Sequence, residues 1–335
     1  MAEKVQTIYD LAKLAGVSVS TVSRALAGKD VVSTKTARRI RKLAETHGFR
    51  PNAVAKNLRT KRSGAIGVVI PLGHDRAQHI SDPFFMTLIG ALADELTEKG
   101  FDLVLSRVIP HNDNWLDRII EAGRVDGIIV VGQSDQSPIL DRVAGEYLPM
   151  VVWGAFIQGQ VHCSVGTDNF LGGMLATSHL IERGCKRIAF CGNSNSIEIA
   201  LRLEGATAAV EKTDHAVTLV TTPTHLAGDL SGADISNFID SIDTMPDGIF
   251  AASDLIAMTA IQALGGRGLL VPRDIRVVGF DDLMIARACS PMLTTVRQDI
   301  RAGASYLVDN LMKRIDGRQT GSTVMNPELV VRSSS

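Results

Sequence analysis

From Ser63 onward the chain repeats one pattern: a short run rich in Val and Ile, a helical stretch, then another such run. The runs fall at 65–70, 102–105, 127–131, 150–153, 187–191, 218–220, 248–252, 276–280, 293–296 and 328–331. Helical periodicity fills gaps at 83–99, 169–183, 200–212, 231–242, 255–265 and 301–315. Continuous apolar runs mark strands buried on both faces, and strand–helix alternation closes as parallel sheets covered by helices. About eleven strands predict two similar lobes rather than one sheet. The 335 residues, 45% apolar, suffice for two such cores and a smaller module. No apolar run approaches a membrane span, and residues 1–10 carry acidic side chains without a signal-peptide core. Cys163, Cys185, Cys191 and Cys289 show no paired spacing, and the eight histidines show no ligand spacing, so reduced thiols, no metal and no cofactor are expected.

The smaller module precedes Ser63. Residues 1–62 hold 14 Lys and Arg against 4 Asp and Glu, whereas the remainder holds 21 against 32. A basic segment on an acidic body points to a polyanionic partner. It is no mere tail, because Ile8, Leu11, Leu14, Val17, Val22, Leu26, Ile40 and Leu43 recur at helical spacings. Thr7 with Asp10 forms a capping box, and Gly16 ends that helix. Ser18 caps a second helix over 19–27, and a third runs over 34–46 with Arg38, Arg39, Arg41 and Lys42. Two short helices joined through a glycine turn make a helix-turn-helix. Val22 and Leu26 point inward, which leaves Val19, Ser20, Thr21, Ser23 and Arg24 outward.

The segments Thr7-Ile8-Tyr9-Asp10-Leu11-Ala12, Gly16-Val17-Ser18-Val19-Ser20-Thr21-Val22-Ser23-Arg24-Ala25-Leu26 and Gly48-Phe49-Arg50-Pro51-Asn52-Ala53-Val54-Ala55 resemble the LacI/GalR family of bacterial repressors. The likeness continues almost to the C-terminus. It implies a helix-turn-helix head at 1–49, a hinge helix and linker at 50–62, and a periplasmic-binding-protein-like body at 63–335. The N-lobe of that body is expected at 63–164 and 293–320, the C-lobe at 165–292 and 321–335. It implies operator contacts by Thr7, Ser18, Val19, Ser20, Thr21, Ser23 and Arg24. Arg24 can reach a guanine edge, while Thr21 and Ser23 suit phosphate. Asn52, Ala55, Leu58 and Arg59 match the hinge helix, with Leu58 as a minor-groove wedge. The bottom-up reading of 52–59 is only a short helix with one apolar edge, too short to persist alone.

In such bodies ligands sit in the cleft, at the carboxyl ends of the strands. By resemblance Arg202 and Asp281 contact the effector, Ser253 replaces the usual asparagine, and Leu230 takes a position that often carries a stacking aromatic ring. Asp82, Phe84 and Trp153 could supply a replacement carboxylate and stacking face. The alternatives are that Asp82 and Asp168 only cap helices, and that Phe85 and Trp153 are core. The segments around 78–85, 152–155 and 165–169 are similar to sugar-responsive members, which favours a sugar or glycoside effector.

The rival classes are an α/β enzyme fused to a DNA-binding head and an exported binding protein. The chain has no G-x-G-x-x-G, P-loop, G-x-S-x-G or H-E-x-x-H motif, and the glycines at 265, 266 and 268 follow a helix rather than a strand. The expectation is therefore a cytoplasmic, non-enzymatic repressor: a homodimer on a near-palindromic operator, paired through 255–265 and 284–291. Beyond the last strand there are no leucine heptads for a tetramer. A co-repressing or activating response to a non-sugar ligand remains the alternative.

Overall fold

The computed structural model describes residues 7–26, 31–49, 62–73, 78–133, 135–214 and 216–335. They fall into two compact units, Met1–Ser63 and Gly64–Ser335.

In the first unit, α1 (Ile8–Ala15), α2 (Val19–Leu26) and α3 (Thr34–Thr46) pack around Leu11, Val22 and Ile40, all fully buried. The Thr7 hydroxyl accepts from Asp10 N–H at 3.2 Å and the Asp10 carboxylate accepts from Thr7 N–H at 2.9 Å, so both ends of the capping box are made. Gly16 takes φ 62°, which suits glycine, and so ends α1. The Ser18 hydroxyl accepts from Thr21 N–H and starts α2. The sequence places Val19 outward, but it packs half-buried against this core together with Ile8, Val17 and Leu26. Its position at the first residue of α2 brings it over the turn from α1. Asn52, Ala55, Leu58 and Arg59, the expected hinge residues, lie outside the described residues.

In the second unit, one sheet has the order β11-β5-β4-β3-β1-β2 and the other β12-β10-β9-β8-β6-β7. The N-lobe strands are β1 (Ala65–Pro71), β2 (Asp102–Val108), β3 (Gly127–Val131), β4 (Met150–Trp153), β5 (Ser164–Thr167) and β11 (Thr323–Met325). The C-lobe strands are β6 (Arg187–Cys191), β7 (Thr218–Thr222), β8 (Gly248–Ala251), β9 (Arg276–Asp281), β10 (Thr294–Arg297) and β12 (Glu328–Val330). Every pairing is parallel except β10 with β12.

The continuous apolar runs are explained by the two covered faces. Ile129 and Val131 of β3 face one core with Leu88 and Leu92 of α4 (Pro83–Glu98) and Leu307 and Leu311 of α12 (Ile300–Ile315). Ile128 and Val130 face the other, with Trp115 of α5 (Trp115–Glu121) and Leu140 of α6 (Ser137–Glu146). The C-lobe core centres on Phe190, Phe250 and Phe280. Around it lie α7 (Asn169–Glu182), α8 (Ile197–Glu211), α9 (Gly228–Ser241), α10 (Asp254–Gly265) and α11 (Met284–Ala288).

The lobe limits differ from those expected. The chain leaves the first sheet after Thr167 rather than at 165, returns after Arg297 rather than at 293, and crosses again between Met325 and Glu328 rather than at 321. The reason is that β5 and β11 are short strands of Ser, Gly, Thr and Val whose apolar content is weak. Pairing makes them strands: β5 lies between β4, with Val165 against Trp153, and β11, with Val165 against Thr323 and Thr167 against Met325. The buried thiols Cys185 and Cys191 are pushed by burial up to about 11 and about 12, far from reactive thiolates.

Candidate functional site

On the first unit, Ser20 and Arg24 of α2 are exposed, while Thr21 and Ser23 are half-buried. The Ser18 hydroxyl lies 2.8 Å from both the Ser20 and Thr21 hydroxyls, so the N-terminus of α2 presents a linked polar edge. Thr7 and Ser18 are exposed beside it. Two arginines of α3, both exposed, are also tied to backbone carbonyls. Arg39 donates to the Ala15 carbonyl at 2.7 Å and Arg41 to the Ala25 carbonyl at 3.3 Å, which satisfies carbonyls at the ends of α1 and α2. Lys35, Arg38, Arg39 and Lys42 line a shallow basic hollow with Thr34.

In the second unit, Asp82, Phe84, Trp153, Arg202, Ser253 and Asp281 all line one cleft of about 900 Å³, open to solvent. Residues distant in sequence meet there because parallel strands of both sheets end at the same gap. Trp153 ends β4, Asp281 ends β9 and Ser253 follows β8, while Asp82 and Arg202 sit near the starts of α4 and α8. Leu230 does not line this cleft; Leu226 and Leu255 do, because the turn preceding α9, rather than α9 itself, reaches it.

Asp82 both caps α4, accepting from Phe84 N–H at 2.9 Å, and faces the cleft, where burial raises its carboxyl above the usual range. Phe84 is half-buried, with its ring centroid 5.9 Å from that of Trp153. Trp153 is largely core: a Cβ on Gly303 of α12 would fall 2.3 Å from its ring, so only glycine fits beneath it. Ser253 caps α10 through Ile256 N–H, and Asp168 caps α7 through Leu171 N–H.

Arg202 is buried, its guanidinium 3.7 Å over the Phe280 ring. It donates to Asn169 Oδ1 at 2.8 Å and to the Ala252 carbonyl at 2.5 Å. Asp281 is buried beside it and accepts from Gln298 Nε2 at 2.7 Å. Burial pushes the Asp281 carboxyl up to about 7 against the pull of Arg202, and Asp82 facing it from the other lobe pushes the same way. The backbone here is strained, with φ 117° at Asp281 and 56° at Asp282. Asp282 is anchored by Arg297 at 2.8 Å, Arg287 at 3.2 Å and Arg332. Asp254, also fully buried, accepts from Thr295 Oγ1 and Leu283 N–H, and burial raises its carboxyl well above the usual range.

Six polar lining residues were not singled out as contacts by the sequence: Gln78, Thr167, Asn169, Ser196, Glu198 and Gln298. Gln78 and Thr167 stand in segments whose likeness drew notice, and Glu198 stands one turn before Arg202. Gln298 follows β10 and gave no signal. Gln78 Oε1 and Thr167 Oγ1 are buried without a hydrogen-bond partner, and both belong to the N-lobe side. Among the described residues no group of His, Cys, Asp and Glu is arranged to hold a metal ion, and no helix is long and apolar enough to cross a membrane.

A helix-turn-helix unit and a two-lobed cleft, on one chain, are the parts of a ligand-responsive DNA-binding regulator. Residues 7–52 match the model for bacterial regulatory proteins of the lacI family, and residues 177–335 match the periplasmic binding protein-like domain. The chain is 31% identical to the HTH-type transcriptional repressor PurR of Pasteurella multocida (strain Pm70), over 98% of each sequence. Among solved structures it is similar to the lac repressor dimer bound to operator and the anti-inducer ONPF, with a TM-score of 0.83 and 27% identity over 98% of each chain. It is also similar to the transcriptional regulator CelR–cellobiose complex, with a TM-score of 0.67, 27% identity and coverage of 98% and 99% of the two chains. The chain belongs to the LacI family of bacterial regulatory proteins. It is a DNA-binding transcriptional repressor, and these relatives are regulators, not enzymes.

Proposed function

We propose that this repressor binds a near-palindromic operator as a homodimer in the cytoplasm, and that a sugar or glycoside held in the cleft lowers its operator affinity. The cleft carries the reading: an aromatic edge at Phe84 and Trp153 faces a polar wall of Ser253, Arg202 and Asp281. Aromatic carbon against a ring's C–H face, with carboxylates for hydroxyl donors, is the chemistry of a neutral polyol. Asp82, Glu198 and Asp281 against the single guanidinium of Arg202 disfavour a phosphorylated ligand. The likeness to CelR, solved with cellobiose, supports the same class.

On the DNA side, Val19 and Ser20 vary the reading of the groove and Arg24 contacts a base edge, with Thr7, Ser18, Thr21 and Ser23 on phosphates. Asn52, Ala55, Leu58 and Arg59 would add minor-groove contacts, with Leu58 as the wedge. Dimer pairing through α10 and the segment 284–291 would cover Met284, which is 85% exposed. Ligand changes operator affinity because it favours one arrangement of the lobes, and rotation of the N-lobes would separate the paired hinges.

The test is a thermal-shift screen against monosaccharides, disaccharides, phosphorylated sugars and purine bases, followed by operator binding with the hit. A neutral sugar at 100 times its Kd should add about 2.7 kcal/mol of stability and weaken operator binding. A purine or phosphosugar hit, or tighter binding with ligand, overturns the assignment. Asp281→Ala should abolish the sugar response and keep sugar-free operator binding. Arg24→Ala should cost about 1–3 kcal/mol at one base pair per half-site; an equal loss on every sequence makes Arg24 a phosphate contact.

A further inference from the structure

Behind the cleft wall a line of polar contacts runs from Asp141 through His162 and Gln133 to Glu198. Asp141 lies on α6, Gln133 just after β3 and His162 just before β5, all in the N-lobe. Glu198 lies in the first turn of α8, in the C-lobe, and lines the cleft. Asp141 Oδ1 accepts the N–H groups of Val161 at 2.7 Å and His162 at 3.0 Å, and faces His162 Nδ1 at 2.6 Å. His162 Nε2 faces Gln133 Oε1 at 2.8 Å. Gln133 Nε2 donates to the Ala155 carbonyl at 2.6 Å and reaches Glu198 Oε1 at 3.4 Å. Ala155 N–H reaches the same Glu198 oxygen at 3.4 Å. The packing is tight: a Cβ on Gly154 would stand 2.3 Å from Gln133 Cγ.

Both ring nitrogens of His162 therefore face oxygen acceptors, yet a neutral imidazole carries one N–H. Turning the Gln133 carboxamide over does not help. Its oxygen would then meet the Ala155 carbonyl and the Glu198 carboxylate. Asp141 cannot turn away either, because two backbone N–H groups hold it. Every donor is in place only when both ring nitrogens carry protons.

We infer that His162 and Gln133 are positioning residues for the effector cleft: a doubly protonated His162 fixes the Gln133 carboxamide, whose NH2 then joins the Ala155 carbonyl of one lobe to Glu198 of the other. The inference rests on the effector reading only for the use made of the cleft; the contact between lobes is defined without ligand. Asp141 faces the ring directly and Glu198 through Gln133, while the adjacent Cys163 thiol turns to Thr320 and Gly321. Burial holds the ring's proton affinity below the ordinary His value of 6.5, with Asp141 opposing. Asp141, despite its burial, is held below the usual carboxylate range by the His162 backbone and ring. The contact is thus made as pH falls through the ring's midpoint and loosens as pH rises above it. In the neutral form Nδ1 keeps its proton for Asp141, Nε2 faces the Gln133 oxygen without one, and the carboxamide is no longer held on Glu198.

The test uses ligand-free, full-length protein with isotope-labelled histidine, followed by NMR between about pH 5 and pH 8. His162→Gln identifies the ring signal. We expect protons on both ring nitrogens at the acid end and on Nδ1 alone at the alkaline end. The exchange protection of Ala155 N–H, corrected for the intrinsic pH dependence, should fall about tenfold in step. Gln133→Met should leave that protection low throughout. A ring with a single proton at every pH, or protection at Ala155 that ignores the ring or survives Gln133→Met, overturns the inference. If a variant fails to fold, the wild-type ring titration and Ala155 protection still decide. With no ligand present, a failed sugar screen leaves these results standing, and the converse also holds.

Discussion

The two walls of the cleft are built on opposite principles. On the C-lobe wall the polar groups already have partners: Arg202 holds Asn169 and Ala252, Asp281 holds Gln298, and Ser253 caps α10. On the N-lobe wall, Phe84 and Trp153 offer carbon surface, and Gln78 Oε1 and Thr167 Oγ1 are buried without partners. A satisfied wall holds its geometry before ligand arrives, so a ligand must fit it. An unsatisfied wall gains on binding, because each orphaned group recovers a hydrogen bond it lost on folding. The C-lobe wall thus sets orientation, and the N-lobe wall supplies the drive to close.

The contrast can be broken most severely at the base of the C-lobe wall. Helices α7 and α8 touch through glycine, and a Cβ on Gly205 would lie 2.0 Å from the Phe170 carbonyl oxygen. Gly205→Ala should cost about 3 kcal/mol in denaturant unfolding and move Arg202, so that sugar binding is lost with stability. A smaller effect is expected at Asp281. Burial pushes its carboxyl up to about 7 in the folded protein, so ionisation costs folding free energy progressively as pH rises from the ordinary carboxylate range to that point. Asp281→Asn should raise the melting temperature by about 2–4 °C at pH 8 and leave it nearly unchanged well below that range, while weakening sugar binding. No gain at alkaline pH would mean that the wall tolerates the charge. The smallest effect is on the other wall. Thr167→Val removes an orphaned hydroxyl and should stabilise the ligand-free protein by about 1 kcal/mol, while titration calorimetry shows weaker sugar binding. A loss of stability instead would show that Thr167 is already satisfied and that the walls are alike.

Signals that depend on near neighbours were legible in the sequence. Thr7 with Asp10, Gly16, and the caps Ser18, Asp82 and Asp168 were each read from a few residues, because capping is local chemistry. Asp281, Arg202 and Trp153 could be placed by the strand or helix they adjoin. What escaped is set by pairing at a distance. Thr167 pairs with Met325, more than 150 residues on, and Gln298 reaches the cleft through a crossover between lobes. Arg39 and Arg41 read as charge for DNA, yet the carbonyls they satisfy lie 24 and 16 residues away. Val19 looked outward because helical period alone does not reveal the turn that packs over it.

The crossovers also govern how the body can be made. The edge strands of the two sheets, Thr323–Met325 and Glu328–Val330, come from beyond residue 320, and α12, which fills the N-lobe core with Leu307 and Leu311, from beyond residue 299. On the ribosome, the segment from β1 to β5 would wait with one sheet face covered by α4 alone, without α12, while the whole C-lobe is translated. Helices α1, α2 and α3 share a core drawn from residues 8–49 and are free of that delay. Nascent chains should therefore carry a folded head on a part-covered body, a span in which chaperones would have the α12 side of the sheet to bind.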